Sequence, residues 1–401
     1  MSRSRFHVVI AGGGVAGLEA ALALQAIARD DVSVEIVAPE VEFTYRPLAV
    51  SEPFEKGEVK RFPLHALAEA AGARLRPASL AAVDADEKTV RLDDGTRVGY
   101  DALLLTVGAV PRDAVDGALT FRGAQDGAAL AALLARATTG DVRSLTFAVP
   151  SGTTWPLPLY ELALMTAMHL TDHVTNGSVA VVTPEDHPLA IFGPTASTAL
   201  AELLDLRGIA FEHSVTPVEW RDGKLRVVPE RWIATDAVVS LPRLEGPRIP
   251  GLPQDSSGFL PTDEYGWVLG VNDVYAAGDV TQFPLKQGGI ATQQADAAAS
   301  AIAADAGVDV RPEEFRPVLR GLLLTGFVPR FLRADVTGAG STIDTEPLWW
   351  PPAKIVGRHL APFLAEHLGL AEALPDELRM DAVPVDVELD RVEGRPLWSR
   401  V

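Results

Sequence analysis

The chain of 401 residues contains no cysteine. This absence excludes disulfide bonds, thiolate nucleophiles, persulfides and cysteine-ligated metals. Any redox chemistry would therefore take place on a bound cofactor rather than on a side-chain sulfur. The eight histidines also show no HExxH motif or comparable ligand spacing, so we expect no metal site.

The sequence also lacks an excess of positive charge and a long apolar run. Its 35 basic and 54 acidic side chains give a formal net charge of −19, which repels nucleic acid and anionic lipid. No segment reaches the roughly 18 consecutive apolar residues of a membrane span, and the first apolar run belongs to a strand-turn-helix pattern rather than to a secretory signal. We expect no nucleic-acid partner, no transmembrane segment and a cytoplasmic location.

A glycine-rich turn follows the first apolar run. Residues 6–11 predict a strand, and the alanine- and leucine-rich segment after the turn predicts a helix. Between them, Gly12 allows a tight turn, Gly14 lets the backbone approach a pyrophosphate, and Gly17 lets the helix pack closely on the strand. Ala16 lies in the same loop. This placement predicts a dinucleotide site at the helix N-terminus, although the glycine spacing alone also fits a close helix-strand contact.

The second predicted strand, residues 32–38, is the usual place for a carboxylate that binds the ribose of a dinucleotide. Glu40 is the nearest acidic residue after this strand. It is our candidate for the ribose contact, with a solvated loop residue as the alternative, in which case backbone amides would hold the sugar.

Alternating strand and helix patterns predict an α/β protein with two Rossmann-like nucleotide-binding folds, the second inserted into the first, plus a smaller C-terminal domain. We place the first fold in residues 1–110 and 243–308, the second in residues 111–242 and the C-terminal domain in residues 309–401. Within the last of these, residues 322–332 predict a single strand.

Three separated segments resemble motifs of the FAD-dependent pyridine nucleotide-disulfide oxidoreductase superfamily. They are the glycine-rich turn, the strand end Leu105-Thr106-Val107-Gly108-Ala109, and Val274-Tyr275-Ala276-Ala277-Gly278-Asp279. The resemblance implies an FAD-dependent oxidoreductase in which Thr106, Gly108 and Gly278 lie at the cofactor. It also implies that Asp279 holds the ribityl chain of FAD, and the alternative for Asp279 is a helix cap.

Two further segments resemble the sulfide:quinone oxidoreductases and type II NADH dehydrogenases within this superfamily. They are residues 43–48, which include Arg46 and Pro47 of the cofactor-binding set, and residues 286–289. Those relatives pass electrons from a donor through FAD to a quinone. Because sulfur uptake in sulfide:quinone oxidoreductases uses cysteine, we expect a small donor other than sulfide, and a quinone or another acceptor.

The resemblance implies that the flavin ring lies at the start of a helix beginning near Gly289 and Ile290, where free amides stabilise negative charge. Lys286 would add a positive charge there, or it is a solvated loop lysine. Glu161 lies in the first helix of the second predicted fold, after a turn that lacks the glycines of the first fold. It is the best carboxylate to relay a proton at the flavin. The alternative for Glu161 is an ordinary exposed helix residue.

Other residues leave two interpretations open. Gln293 and Gln294 either touch the flavin or face water, and Trp349 and Trp350 either stack on a flat acceptor or pack inside the C-terminal domain. Apolar residues at helical spacing in 355–368 predict either a homodimer face or a core contact.

The second fold tests whether NAD(P)H binds. Aligning its helix with the first helix places Thr154, Pro156 and Leu159 at the three glycine positions, and each fills space where a pyrophosphate needs bare backbone. Trp155 and Tyr160 either wall a donor pocket or belong to the core. NAD(P)H is therefore doubtful as a substrate, and an NAD(P)H dehydrogenase and a non-catalytic flavin-binding sensor or partner protein remain the alternative functions.

Overall fold

The computed structural model describes residues 5–334, 341–349 and 353–367. Its α-helices are α1 Val15–Ala28, α2 Leu64–Ala70, α3 Gly127–Thr139, α4 Leu157–Asp172, α5 Pro194–Leu206, α6 Gly288–Asp305 and α7 Leu360–His367. Short 3-10 helices cover Arg46–Val50, Glu52–Phe54, Ala124–Asp126 and Ala190–Phe192. The strands are β1 Phe6–Ala11, β2 Val32–Val37, β3 Glu42–Thr44, β4 Arg61–Pro63, β5 Ala73–Arg76, β6 Leu80–Asp84, β7 Thr89–Leu92, β8 Arg97–Gly99, β9 Ala102–Leu105, β10 Val110–Arg112, β11 Leu119–Thr120, β12 Ser144–Ala148, β13 Ser178–Val182, β14 Ile209–Glu212, β15 Thr216–Arg221, β16 Lys224–Val228, β17 Arg231–Ala234, β18 Ala237–Ser240, β19 Arg243–Glu245, β20 Val274–Ala276, β21 Leu319–Leu323, β22 Arg330–Ala334 and β23 Ser341–Asp344.

The first sheet is parallel, with strand order β20-β9-β1-β2-β5. Its central strands are continuous apolar runs because both faces of the sheet are covered. Helices α1 and α6 lie on one face, where alanines such as Ala20 and Ala298 let the two helices approach closely. The antiparallel strands β6-β7-β8 cover the other face. The carboxyl ends of β1, β2 and β9 meet at one edge of this sheet.

The second sheet is also parallel, with strand order β11-β18-β12-β13-β14. Phe147 and Val181 of its central strands are fully buried with residues of α3 and α4. The sequence analysis did not predict α3 or the antiparallel strands β15-β16-β17. Strands β10 and β19, where the chain leaves the first fold and returns to it, pair with each other.

The C-terminal strands form an antiparallel sheet, β21-β22-β23. The prediction of one strand over residues 322–332 was wrong, because residues 324–329 form a turn between β21 and β22. Gly326 has φ +80° in this turn. The residues on both sides of the turn are apolar, so the sequence pattern looks like one continuous strand. Leu319 and Leu332 pack into the core of the second fold.

The α/β class with two Rossmann-like folds and a smaller C-terminal region is confirmed. The exact domain boundaries stay predictions. Among the helices that the structure describes, none is both long and apolar enough to cross a lipid bilayer.

Candidate active site

A cleft of about 850 Å³ opens where the carboxyl ends of the first sheet face α4, α6 and the C-terminal strands. This is the usual position of a ligand in a parallel α/β sheet. Most of the predicted site residues line it, namely Gly12, Gly14, Ala16, Glu40, Arg46, Pro47, Thr106, Gly108, Glu161, Gly278, Asp279 and Lys286. Of the predicted set, Gly17, Gly289 and Ile290 lie outside this lining.

The glycine-rich turn has a geometry that other residues could not adopt. Gly12 has φ +120°, and a Cβ atom there would lie 2.3 Å from the Thr106 carbonyl oxygen. The Thr106 hydroxyl donates hydrogen bonds to the carbonyls of Ala11, at 3.0 Å, and Gly12, at 2.9 Å. Gly17 packs so tightly that its Cβ would lie 2.0 Å from the Gly12 oxygen. Gly17 therefore supports the turn from behind the cleft.

Gly14 differs from Gly12 and Gly17 in its surroundings. It directly precedes α1, lines the cleft, and a Cβ atom there would meet no protein atom within 4 Å. The fold itself therefore does not require glycine at this position. Open backbone at a helix N-terminus, facing a cleft, suits a phosphate group.

Asp279 and Lys286 place opposite charges in the cleft. In the described part of the chain, the Asp279 carboxylate accepts no hydrogen bond, and burial raises its pKa against the attraction of Lys286 and Arg46. The Lys286 ammonium donates to the Thr281 carbonyl and lies 3.9 Å from the centre of the Phe259 ring. Burial lowers the pKa of Lys286 to about 8, although Asp279 opposes this shift. Asp279 thus has hydrogen-bonding capacity left for a ligand.

The N-terminus of α6 also reaches the cleft, through Gln287 and Gly288. The Gln287 side chain caps the helix by accepting from the Ile290 amide at 2.9 Å. Gln293 and Gln294 both make hydrogen bonds within the protein. Gln293 bonds both backbone groups of Val318, while Gln294 accepts from the Gly278 amide, so both side chains hold the protein together.

Glu161 forms a buried ion pair with Lys354 at the cleft. The Lys354 nitrogen lies 2.6 Å from both carboxylate oxygens, and the exposed fractions of the two side chains are 0% for Glu161 and 7% for Lys354. Glu161 also accepts from the Leu324 amide at 2.8 Å, and Lys354 donates to the Pro47 carbonyl at 3.1 Å. Burial raises the pKa of Glu161 and lowers that of Lys354, while their mutual attraction opposes both shifts. Glu161 is thus not an exposed helix residue.

Sequence reasoning missed Lys354, which lines the same cleft. The only signal was one cation in an otherwise apolar and proline-rich stretch, residues 348–356. An isolated lysine among apolar residues normally extends its charge to water. Its carboxylate partner is 193 positions away, and nothing local in the sequence indicates it.

The start of α4, where a nucleotide would bind in the second fold, packs against protein on one side and lines the cleft on the other. Leu159 is fully buried, whereas Trp155 both lines the cleft and packs on the buried Phe192, with ring centres 5.7 Å apart. Strand β21 presses on the first turn of the helix, since a Cβ at Gly321 would lie 2.9 Å from a Leu157 methyl group.

The carboxylate that would bind the ribose of a second nucleotide already accepts hydrogen bonds from the protein. Glu185 follows β13, the position from which an acidic residue usually binds the ribose. Its carboxylate instead accepts from the Tyr160 hydroxyl at 2.6 Å and the Thr183 hydroxyl at 3.0 Å. Tyr160 is therefore a core residue, as one of the two interpretations stated.

The remaining candidates lie in the C-terminal region. Trp349 packs edge-on against Phe331, with ring centres 5.1 Å apart, and does not line the cleft. Trp350 and Leu368 lie outside the described residues. Within the segment 355–367, Leu360 and Leu364 are buried in the core formed with α1, which favours the core interpretation.

Residues 6–142 match the family model of the pyridine nucleotide-disulphide oxidoreductases. Among solved structures, the fold is similar to the sulfide:quinone oxidoreductase of Aquifex aeolicus, with TM-score 0.78, 17% identity, and coverage of 85% of this chain and 87% of that one. It is also similar to a ferredoxin reductase of Rhodopseudomonas palustris, with TM-score 0.64, 18% identity and 82% of each chain covered. NDH2 of Plasmodium falciparum, solved with NADH, gives TM-score 0.57, 15% identity, and coverage of 69% of this chain and 64% of that one.

These findings confirm the predicted superfamily. The family match contains the glycine-rich turn and the strand end at Thr106, and the structural likeness extends over most of the chain. Residues 6–142 thus carry the match to the pyridine nucleotide-disulphide oxidoreductase family, and most of the chain shares the fold of the solved oxidoreductases.

Proposed function

We propose that this enzyme binds FAD in the cleft and transfers electrons from a small donor to a quinone or another acceptor that takes up protons with its electrons. The observation that carries the proposal is the buried Glu161–Lys354 pair, which lines the same cleft as the glycine-rich turn and Asp279. Without cysteine, the chain offers no sulfur-based route for the electrons.

The cleft residues fit FAD. The open backbone at Gly14 and the N-terminus of α1 suit a pyrophosphate, and Asp279 has a carboxylate without a protein partner for hydroxyl groups of the ribityl chain. Glu40 is exposed at the cleft beyond β2 and is available to the ribose. When bound, FAD supplies the exchange of two electrons that the polypeptide itself cannot perform.

Glu161 and Lys354 would hold a proton at the acceptor. Burial disfavours the charged form of each group, while the attraction between the two groups favours the ionised pair. A proton held in this way can be delivered to an acceptor oxygen without drawing on bulk water. The amide of Leu324 and the carbonyl of Pro47 fix the two side chains in place for this transfer.

The second fold argues against NAD(P)H as the donor. Its helix start lacks the glycines of the first turn and packs against β21 at Leu157, and the Glu185 carboxylate accepts hydrogen bonds from the Tyr160 and Thr183 hydroxyls. We therefore expect electrons to come from a different small donor.

Purification without added flavin, followed by anaerobic mixing, tests this function. We expect bound FAD, no rapid bleaching of its absorption band by NADH or NADPH, and fast reoxidation of the dithionite-reduced protein by a soluble ubiquinone analogue. A flavin-free protein that refuses FAD would overturn the proposal. Rapid bleaching by a nicotinamide would instead support a dehydrogenase, and reduced flavin that quinones, dyes and oxygen all fail to reoxidise would support a non-catalytic protein.

Lys286 should raise the reduction potential of the bound flavin. A cation in the cleft stabilises the negative charge of the reduced cofactor, so Lys286→Met is expected to lower the midpoint potential by about 30–60 mV near neutral pH. Because the pKa of Lys286 is lowered to about 8, the wild-type ammonium loses its proton above that pH, and the difference between the two proteins should shrink. Spectroelectrochemical titration measures both values. Lys224→Met, at an exposed position on β16, is the control, and an equal shift there would refute the role of Lys286.

A further inference from the structure

The segment that carries Lys354 is held by the two helices next to the glycine-rich turn and Asp279. We call residues 353–360 the Lys354 arm. The Ile355 amide donates to the Tyr45 hydroxyl at 3.0 Å, and the Thr292 hydroxyl donates to the Val356 carbonyl at 2.6 Å. These contacts tie the first half of the arm to the loop after β3 and to α6.

The second half of the arm is held by Glu19 of α1. The Glu19 side chain is fully buried, and its two carboxylate oxygens accept from the amides of His359, at 2.8 Å, and Leu360, at 2.6 Å. It therefore caps the start of α7, which begins at Leu360. The backbone of Gly357 passes directly over this carboxylate. A Cβ atom at Gly357 would lie 2.6 Å from a Glu19 oxygen, so a larger residue would not fit there. The function proposed above leaves this buried acid unexplained.

Asp296 of α6 lies beside Glu19. Burial and the neighbouring Glu19 carboxylate raise the pKa of Asp296, which favours a proton on Asp296 beside the Glu19 carboxylate. Three further charged or titratable groups surround the pair. Arg358 attracts Asp296 and pairs with Glu313 at 2.9 Å, and the His359 ring lies 3.9 Å from Asp296.

We propose that Glu19 is a positioning residue for Lys354 and that it clamps the arm onto α1 through the amides of His359 and Leu360. A proton on the neighbouring Asp296 keeps this clamp closed, because a second buried negative charge would repel the Glu19 carboxylate. The proposal rests on the function given above, because Lys354 acts there as the partner of Glu161. It links the helix that follows the glycine-rich turn to the lysine of the proton-holding pair.

A carboxylate is the group that this site requires. Two amide donors point at Glu19 from the arm, and a carboxylate satisfies both with its two oxygens. A glutamine would offer one oxygen and one NH₂ group, so one backbone amide would face another donor in a buried place. Glu19→Gln should therefore open the clamp with almost no change in side-chain volume.

The proton on Asp296 makes the clamp sensitive to rising pH. Burial and the neighbouring Glu19 raise the pKa of Asp296 well above its usual range. Because this pKa is raised on folding, the stabilisation is present at low pH and is lost as the pH rises through the folded-state value. Asp296→Asn keeps a hydrogen-bond donor for Glu19 and cannot ionise, so it should hold the arm closed after the pH has risen past the point at which the wild type releases it.

Hydrogen-deuterium exchange of the full-length protein tests the clamp without relying on activity. In Glu19→Gln, we expect the amides of His359 and Leu360 to exchange about ten to a hundred times faster than in the wild type. In Asp296→Asn, protection of these amides should persist at a pH at which the wild type has lost it, after correction for intrinsic exchange. Glu35→Gln is the matched control, since Glu35 is a buried acid of β2 that binds Arg76 away from the arm.

Unchanged protection in Glu19→Gln would overturn the proposal, as would equal loss in Glu35→Gln. Loss of protection at the same pH in the wild type and Asp296→Asn would exclude the role of the proton on Asp296. If the protein bound no flavin while Glu19→Gln still released the arm, the proposed function would fail and the clamp would stand. A flavin-loaded protein whose arm is unaffected by Glu19→Gln would refute the clamp and leave the proposed function standing.

Discussion

Replacing Lys354 with methionine is expected to lower turnover with a quinone by about a hundredfold or more, the usual contribution of a positioned proton donor. The substitution leaves Glu161 buried without its cation, so the carboxyl group takes up a proton and keeps it. The FAD content should stay near the wild-type level, because Gly14 and Asp279 are on other elements. Steady-state kinetics and the absorbance ratio of flavin to protein measure the two effects.

Glu161→Gln should have a similar effect on turnover, for the complementary reason. The neutral amide cannot accept a proton from Lys354, and burial then favours the uncharged amine. Either single substitution should also reduce the free energy of unfolding by about 3–5 kcal/mol, whereas the double variant should recover part of this loss because no buried ionisable group is left without its partner. Its turnover should be no lower than that of either single variant, because the pair acts as one unit.

Tyr160→Phe is the matched control for these variants. Tyr160 is the neighbour of Glu161 in α4 and is equally buried, but its hydroxyl binds Glu185 rather than Lys354. We expect a loss of about 1–3 kcal/mol in stability and nearly normal turnover. If Tyr160→Phe reduced turnover as strongly as Lys354→Met, general damage to α4 would explain both results, and the proposed role of the pair would be abandoned.

Local sequence patterns were sufficient for the first fold and for one side of the cleft. Gly12 and Gly17 have backbone or packing requirements that few residues meet, so their spacing identifies the turn directly. The apolar runs of β1 and β9 likewise reveal a sheet covered on both faces. Such signals are local, because the residues that form the pattern are the same residues that form the turn or the strand.

The other side of the cleft depends on contacts between distant positions. Glu161 meets Lys354 across 193 residues, and Tyr45 meets Ile355 across 310. Each of these residues has an ordinary sequence context, and only the packing of β21 and the Lys354 arm decides that Glu161 is buried. The turn at residues 324–329 was missed for a related reason, since the apolar side chains on both sides of it match the pattern of a single strand.

Gly14 and Gly12 should respond to alanine in different ways, and this difference tests whether the cleft binds FAD. At Gly14 an added Cβ meets no protein atom within 4 Å but enters the cleft where the pyrophosphate would lie. Gly14→Ala should therefore fold with a free energy of unfolding within about 1 kcal/mol of the wild-type apoprotein, since it removes no packing. It should nevertheless bind FAD about a hundredfold more weakly, a loss of roughly 3 kcal/mol.

At Gly12 the Cβ would lie 2.3 Å from the Thr106 carbonyl, and φ is +120°, so Gly12→Ala should damage the turn itself. We expect Gly12→Ala to lose FAD and to lower the melting temperature of the apoprotein as well. Gly99→Ala on β8 is the control, because its Cβ has only one neighbour, at 3.9 Å, and it lies outside the cleft lining. Thermal unfolding of the apoproteins and fluorescence titration with FAD distinguish the three variants. Normal FAD affinity in Gly14→Ala would mean that the pyrophosphate does not lie at this turn, since the substitution has no other way to act.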